Sequence, residues 1–149
     1  MIQAGTIRIG SAGKTFSLTG WKVGYLTGPE TLMRAVSKAH QFLVFTTAPN
    51  LQRAVAFGLG QDDAYFNGLN QSMRAKRDRL SEALDKIPGF DPAPCQGTYF
   101  LFVDVAAHLY DAETDEGFCR RLVTDAGVAA VPVSAFYLDP LRAPRNYIR

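Results

Sequence analysis

The part of the sequence best suited to chemistry is a turn around Lys14, which combines a lysine, a hydroxyl and a second cation. Ser11 precedes Lys14 by three residues and Lys22 follows it by eight, in a run rich in glycine and serine. A lysine held in a tight turn can form an imine with an aldehyde cofactor. A hydroxyl and a cation at these spacings can both bind a phosphate ester. The three residues together predict an anchor for pyridoxal phosphate, with an imine at one end and a phosphate contact at the other.

The tripeptide Gly-Lys-Thr at residues 13–15 also suggests a nucleotide-binding P-loop, but its surroundings do not fit. A P-loop needs four residues between its two glycines so that successive N–H groups wrap a phosphate. Only two residues separate Gly10 from Gly13, and Arg8 stands where the first glycine would be required. We therefore favour the pyridoxal phosphate interpretation over nucleotide binding.

The composition is that of a folded globular protein. The 149 residues include 16 Lys+Arg and 14 Asp+Glu, for a net charge of +2, and 47% are hydrophobic. This balance excludes disorder as the main state and makes no case for nucleic acid or an anionic membrane surface. No apolar run reaches the roughly 18 residues of a membrane span, and residues 1–5 lack the features of a signal peptide. Cys95 and Cys119 lack metal-ligand spacing, so we expect free thiols, no metal site and a cytoplasmic protein.

The elements that must position the lysine turn are two short strands, predicted at residues 6–9 and 21–26. Helical spacing of apolar residues predicts helices after them, at about residues 28–43, 51–59 and 62–87. The last of these helices leads across a boundary that we expect near residues 60–70. The two predicted strands are too few for an independent sheet.

The second half of the chain predicts a mixture of strands and a helix. Residues 98–105 are apolar on both faces, which favours a central strand. A helix is predicted at residues 116–126, stopped by Gly127, and strands are predicted at residues 128–131 and from residue 146 onward. Strands mixed with helices in this way indicate an α/β or α+β class.

The lysine turn resembles the cofactor-lysine segment of fold-type I, pyridoxal-phosphate-dependent aminotransferases of class I/II. The run SAGKTFSLTGWKVGY, residues 11–25, carries the resemblance, which is greatest to the kynurenine/glutamine and methionine aminotransferase branch. Further similar blocks follow in order along the chain, at residues 36–41, 96–101, 128–137 and 147–149. The resemblance implies an α/β fold that is the C-terminal part of such an enzyme. Residues 1–64 would form the end of the large cofactor-binding domain and the interdomain helix, and residues 65–149 an incomplete small domain.

The resemblance also implies residue roles. Lys14 matches the lysine that forms the internal aldimine with pyridoxal 5'-phosphate and then moves a proton between the substrate α-carbon and the cofactor. Ser11 and Lys22 match ligands of the cofactor phosphate. Arg149 matches the arginine that binds the α-carboxylate of the substrate. Phe45 matches an aromatic residue that lines the neighbouring subunit's pocket in the homodimer.

The implied activity is transfer of an amino group from an L-amino acid to a 2-oxo acid. The donor would be aromatic, kynurenine, glutamine or methionine-like, and Thr46, which stands where a histidine can occur, leaves the choice among them open. The family's upstream segments, which hold the cofactor ring, precede the region that matches here. A second hypothesis is therefore a non-catalytic folded fragment or interaction module, and we expect the 149-residue chain to be inactive by itself.

Overall fold

The computed structural model of the chain describes residues 5–149, which form two compact units. The first unit ends at Phe66 and the second is Asn67–Arg149. Residues 1–4, on which the expectation about a signal peptide partly depends, lie outside the described residues. Among residues 5–149, no helix has the length and apolar character needed to cross a bilayer. The assignment of residues 1–64 and 65–149 to a large and a small domain stays a prediction.

The first unit begins with an antiparallel pair of strands and continues with helices. Its elements are β1 (Arg8–Ser11), α1 (Ala12–Thr15), a 3₁₀ turn (Thr19–Trp21), β2 (Gly24–Thr27), α2 (Glu30–Leu43) and α3 (Pro49–Leu59). Ser11 pairs with Gly24, so the segment between the strands closes into a loop. Pro29 precedes α2 and Pro49 is the first residue of α3, and proline suits these positions because an N–H group is not needed there.

The strands of the first unit are displaced from their predicted positions. The first starts at Arg8 rather than at residue 6, and the second starts at Gly24 rather than at residue 21. Trp21 belongs to the 3₁₀ turn, and Lys22 adopts left-handed backbone angles, with φ of 55°. Because a left-handed residue cannot continue an extended strand, β2 begins only after it.

A small core lies beneath the loop of the first unit. Ala12, Val23 and Val55 are buried together, and three partly buried side chains pack against them: Phe16, Leu18 and Leu51. Ala12 is fully buried, and its N–H donates to the carbonyl of Val23 at 3.1 Å. The core therefore joins α1, the start of β2 and α3.

The second unit contains a three-stranded antiparallel sheet and one helix of its own. α4 (Asp63–Leu84) enters it from the first unit and is followed by β3 (Asp91–Pro92), β4 (Val103–Asp104), α5 (Asp115–Ala126) and β5 (Tyr147–Ile148). The strand order is β3–β4–β5. The helix predicted at residues 62–87 is confirmed in its main part and runs without interruption through Gly68.

The helix α5 begins one residue before its predicted start and ends at Gly127, as predicted. The Thr114 hydroxyl accepts a hydrogen bond from the Gly117 N–H at 3.4 Å, and Gly127 ends the helix with left-handed angles. One face of α5 contributes Phe118 and Cys119 to a core that also includes Val105, which is fully buried. This core is the larger of the two.

Two predicted strands of the second unit are largely wrong. The strand at residues 98–105 is regular only at Val103–Asp104, although it is central in the sheet as expected. Thr98 has φ of 65° and its hydroxyl accepts a hydrogen bond from the Phe100 N–H, so the chain turns there instead of extending. The strand at residues 128–131 is reduced to a single bridge between Pro132 and Ile148.

Candidate functional site

The turn that carries Lys14 is fixed by the backbone on both of its sides. β1 passes into α1 through Ser11, whose backbone is extended, with φ of −117° and ψ of 106°. The Thr15 hydroxyl donates to the Ser11 carbonyl at 3.3 Å, which ties the end of the helical turn to its start. Lys14 is exposed while its neighbours Ala12 and Gly13 are buried, so the turn presents the lysine side chain at the surface.

Two glycines allow the close packing of this loop. A Cβ atom on Gly13 would lie 3.0 Å from the Cα atom of Thr19, a closer approach than a side chain normally tolerates. A Cβ atom on Gly10 would overlap the ring of Tyr25 on the paired strand. The close approach of neighbouring atoms therefore accounts for the glycines at these two positions without a P-loop.

Three of the residues singled out from the sequence line one concavity. It has a volume of about 310 Å³, and Ser11, Lys14 and Lys22 all contribute to its wall. The remaining lining residues are Gly13, Thr19, Val23 and Gly24. The left-handed conformation of Lys22 allows the chain to fold back beside α1 before β2 starts. The lining residues thus include two lysines and two hydroxyl-bearing residues, Ser11 and Thr19, a set of residue types suited to an anion.

Thr19 was not singled out from the sequence as a candidate site residue. Its contribution depends on the fold, because the 3₁₀ turn Thr19–Trp21 brings it back beside Gly13. The available signal was its position inside the run of residues 11–25, which carries the family resemblance. A threonine hydroxyl can both donate and accept hydrogen bonds, as the Ser11 hydroxyl can.

Arg149 lies in the second unit, where backbone and side chain are both held. Its N–H donates to the Val131 carbonyl at 2.8 Å, and the Val131 N–H donates back to the Arg149 carbonyl at 3.0 Å. The central carbon of its guanidinium lies 3.9 Å from the centroid of the Phe100 ring and 4.7 Å from that of Phe136. An arginine in this setting keeps its N–H groups in a fixed plane, which suits a carboxylate.

Phe45 lies just beyond the end of α2 and is 79% exposed. Its backbone is left-handed, with φ of 68°, which is unusual for an aromatic residue. The N–H groups of Val44 and Phe45 both donate to the His40 carbonyl, at 2.9 and 3.1 Å. Phe45 does not belong to the wall of the concavity around Lys14.

The sequence and the fold are both similar to those of known aminotransferases. The profile of the family "Aminotransferase class I and II" matches residues 3–149. A kynurenine–oxoglutarate transaminase of Dictyostelium discoideum is 39% identical, over 97% of this chain and 37% of the relative. A methionine aminotransferase of Escherichia coli is 38% identical, over 96% of this chain and 36% of the relative.

Among solved structures, an N-succinyldiaminopimelate aminotransferase of Mycobacterium tuberculosis superimposes with a TM-score of 0.83 and 39% identity, covering 97% of this chain and 37% of that one. The fold is therefore that of the fold-type I transferases, an α/β class, as the resemblance implied. The chain belongs to the class I and II aminotransferase family. It spans little more than a third of the length of the relatives that it matches.

Proposed function

We propose that this chain carries the cofactor lysine and the substrate-carboxylate arginine of a pyridoxal-phosphate-dependent aminotransferase. The amino donor would be an L-amino acid with an uncharged side chain, of the aromatic, kynurenine, glutamine or methionine type, and the acceptor a 2-oxo acid. The observation that carries the proposal is the presence of Ser11, Lys14 and Lys22 in the wall of one concavity, in a chain of this family.

The residues of the concavity fit pyridoxal phosphate in their chemistry. The cofactor has a phosphate ester and an aldehyde, and the wall offers hydroxyl and amine donors for the first and a lysine amine for the second. Lys22 and Ser11 would bind the phosphate oxygens, together with Thr19. Lys22 supplies a point charge rather than the two-pronged contact of an arginine.

Lys14 would act at the substrate α-carbon. When bound, pyridoxal phosphate supplies an electron sink for that carbon. The amine of Lys14 would take a proton from one position and return it at another, as a general base and then a general acid. The buried neighbours Ala12 and Gly13 fix the backbone from which Lys14 extends, so the side chain of Lys14 starts from a fixed Cα position.

Arg149 would bind the α-carboxylate shared by amino and 2-oxo acids. Its planar fork of N–H groups matches the two oxygens of a carboxylate. The paired backbone bonds to Val131 and the contacts with Phe100 and Phe136 support this role, because they restrict the guanidinium before any substrate arrives. Restriction in advance lowers the entropy lost on binding.

The proposal includes a homodimer in the cytoplasm, with Phe45 lining the neighbouring subunit's pocket. An aromatic side chain that is 79% exposed on a left-handed residue supports a role outside its own unit's core. The two cysteines, Cys95 and Cys119, are both free thiols, which agrees with a reducing compartment.

A second candidate is a folded but non-catalytic module, favoured by the short coverage of the relatives. The test uses the 149-residue chain and, separately, a full-length enzyme of this family that contains these residues, called the complete protein below. Each is incubated with pyridoxal phosphate, reduced with borohydride, digested and mapped. We expect the complete protein to carry one pyridoxyl mass on the peptide that contains Lys14, and to exchange amino groups with 2-oxo acids.

We expect the 149-residue chain to show no turnover and only nonspecific labelling shared among lysines. Lys14→Ala and, as a matched control, Lys38→Ala would be compared in both forms. Specific labelling at Lys38 or another lysine in the complete protein would contradict the assignment of Lys14. Turnover by the short chain that disappears in Lys14→Ala would show instead that these residues suffice for catalysis.

A further inference from the structure

The guanidinium of Arg149 is restrained by two aromatic rings of the second unit, Phe100 and Phe136. A guanidinium that stacks on a ring contacts it through its own planar face. The N–H groups lie in the plane and stay available to other partners, and a carboxylate requires them. The guanidinium can therefore contact the rings and bind a carboxylate at the same time. The ring contacts can orient the guanidinium for the carboxylate.

Phe136 is held by a buried carboxylate on a different element. It belongs to the 3₁₀ turn Val133–Phe136, and Asp115, at the start of α5, is fully buried. The Ser134 N–H donates to one oxygen of Asp115 at 2.8 Å, and the Ser134 hydroxyl donates to the other at 2.8 Å. The Glu116 N–H adds a third hydrogen bond, at 3.0 Å. A buried carboxylate with three donors has little freedom to move, so the turn is fixed to α5.

Phe100 is held by a different turn, at residues 95–100. The Phe100 N–H donates to the Thr98 hydroxyl at 3.1 Å, and the Cys95 thiol contacts the Phe100 carbonyl at 3.3 Å. Arg77 of α4 donates to the Cys95 carbonyl at 2.9 Å, which joins this turn to the helix. The two rings near Arg149 thus come from separately anchored segments.

We propose that Phe100 and Phe136 are positioning residues for Arg149, and that Asp115 and Ser134 act on it through the turn that carries Phe136. The proposal rests on the proposed function, in which Arg149 binds the substrate carboxylate. Phe136 is 57% exposed, so its ring contributes little to the core. The contact of this ring with the guanidinium therefore explains its position better than burial in the core does.

The experiment uses the complete protein loaded with pyridoxal phosphate. Phe136→Leu removes the ring and keeps an apolar side chain, whereas Phe136→Tyr keeps the ring. Ser134→Ala removes the hydroxyl that contacts Asp115, whereas Ser134→Thr retains a hydroxyl. Tyr137→Leu is the matched control, since it removes a half-exposed ring from the next position. The readouts are kcat and KM for the amino and the 2-oxo acid, and the calorimetric Kd of 3-phenylpropionate, a carboxylate without an amino group.

We expect Phe136→Leu and Ser134→Ala to raise KM and the Kd of 3-phenylpropionate by roughly 2- to 5-fold, with little change in kcat, since an exposed ring–cation contact is of that order. Phe136→Tyr, Ser134→Thr and Tyr137→Leu should stay close to the unsubstituted protein. In an Arg149→Ala background, Phe136→Leu should have no further effect, because the group that it positions is gone.

Two results would overturn the positioning role while leaving the proposed function intact. One is an unchanged Kd and KM in Phe136→Leu although Arg149→Ala raises both. The other is an equal effect of Phe136→Leu with and without Arg149. If Arg149→Ala itself leaves KM and Kd unchanged, Arg149 does not bind the substrate carboxylate, and the positioning role of Phe136 is contradicted as well. Phe136→Leu changes an exposed ring, so the test does not depend on variants of the buried Asp115.

Discussion

The two units of the chain differ in how much apolar surface they bury. Within residues 5–66, the buried core of the first unit consists of three small residues, and several large side chains are more than three-quarters exposed: Ile9, Phe42, Leu43, Phe45 and Phe57. The core of the second unit has five buried members, including a large aromatic side chain, Phe118, and a hydrogen-bonded carboxylate lies buried near it. The second unit therefore has more internal means of stabilisation.

The two units also differ in their proposed roles, since the first carries the lysine proposed for proton transfer and the second carries the arginine proposed for substrate binding. Lys14 extends from a loop whose rigidity depends on backbone bonds and close glycine packing. Arg149 directly follows β5, and two rings and a buried hydrogen-bond network hold its surroundings. Substitutions in the first unit should therefore act mainly on the reaction, and substitutions in the second on substrate affinity and folding.

The largest expected effect is the loss of transamination in Lys14→Ala. In the complete protein we expect kcat to fall by roughly 10³-fold or more, because the proton transfer loses its base.

Arg149→Ala should instead act mainly through KM, which should rise for amino and 2-oxo acids alike, with about 2–5 kcal/mol of binding free energy lost. Steady-state kinetics with both substrates measures the two effects. A purely KM effect for Lys14→Ala, or a purely kcat effect for Arg149→Ala, would reverse the comparison.

A smaller effect is expected from the same substitution in each core. Val105→Ala, at a fully buried position, should destabilise the second unit by about 2–3 kcal/mol, since it removes buried methyl groups and leaves a cavity. Val55→Ala should lower stability less, by about 1 kcal/mol, because the first core is smaller and alanine is favoured in α3.

Hydrogen exchange of the 149-residue chain, resolved by peptide, distinguishes the two units. Faster exchange in the second unit for Val105→Ala and in the first for Val55→Ala is the expected result. The chain has one tryptophan, Trp21, so its fluorescence reports on the first unit during urea unfolding. Equal losses for the two variants would contradict the difference between the cores.

The smallest effect concerns two ion pairs, one in each unit. Arg121 contacts Glu113 at 2.7 Å with side chains 26% and 13% exposed, whereas Arg34 and Glu30 form a pair that is 77% exposed on both sides. Hydrogen bonds from Arg121 and from the Tyr110 N–H hold the pKa of Glu113 below its ordinary value. A lowered folded-state pKa adds stability above the unfolded-state pKa, and that stability is lost as the pH falls through the folded value.

Glu113→Gln should therefore lower Tm at neutral pH, and the difference from the unsubstituted chain should shrink as the pH falls below about 4, where the unfolded carboxyl is protonated. Glu30→Gln is the matched control, and its Tm should change little at any pH because water and salt screen an exposed pair. A Tm difference for Glu113→Gln that grows on acidification would have the wrong sign for this ion pair.

Features that depend on neighbours along the chain were predictable from the sequence. The start of α2 after Pro29, the end of α5 at Gly127 and the course of the long helix through residues 63–84 all follow from local signals. The lysine turn was likewise visible from residue types and spacing, and the family resemblance that it carries is confirmed by the profile match over residues 3–149. The roles of its residues stay predictions.

The features that were predicted wrongly from the sequence depend on contacts between residues far apart in the chain. The apolar run at 98–105 predicts a long strand, but pairing partners on β3 and β5 extend only along Val103–Asp104, and Thr98 turns the chain away. A strand exists only where a partner supplies hydrogen bonds, and hydrophobic pattern alone does not reveal the partner's length.

By itself, the sequence determined the family, the α/β class and the residue types available for chemistry, because these depend on composition, short-range spacing and resemblance. Only the tertiary structure decided that Thr19 joins Ser11, Lys14 and Lys22 in one wall, and that Phe100 and Phe136 contact Arg149. These contacts join residues from separate loops and turns, and their formation depends on backbone pairing and packing between distant segments. No local rule of propensity or periodicity contains that information.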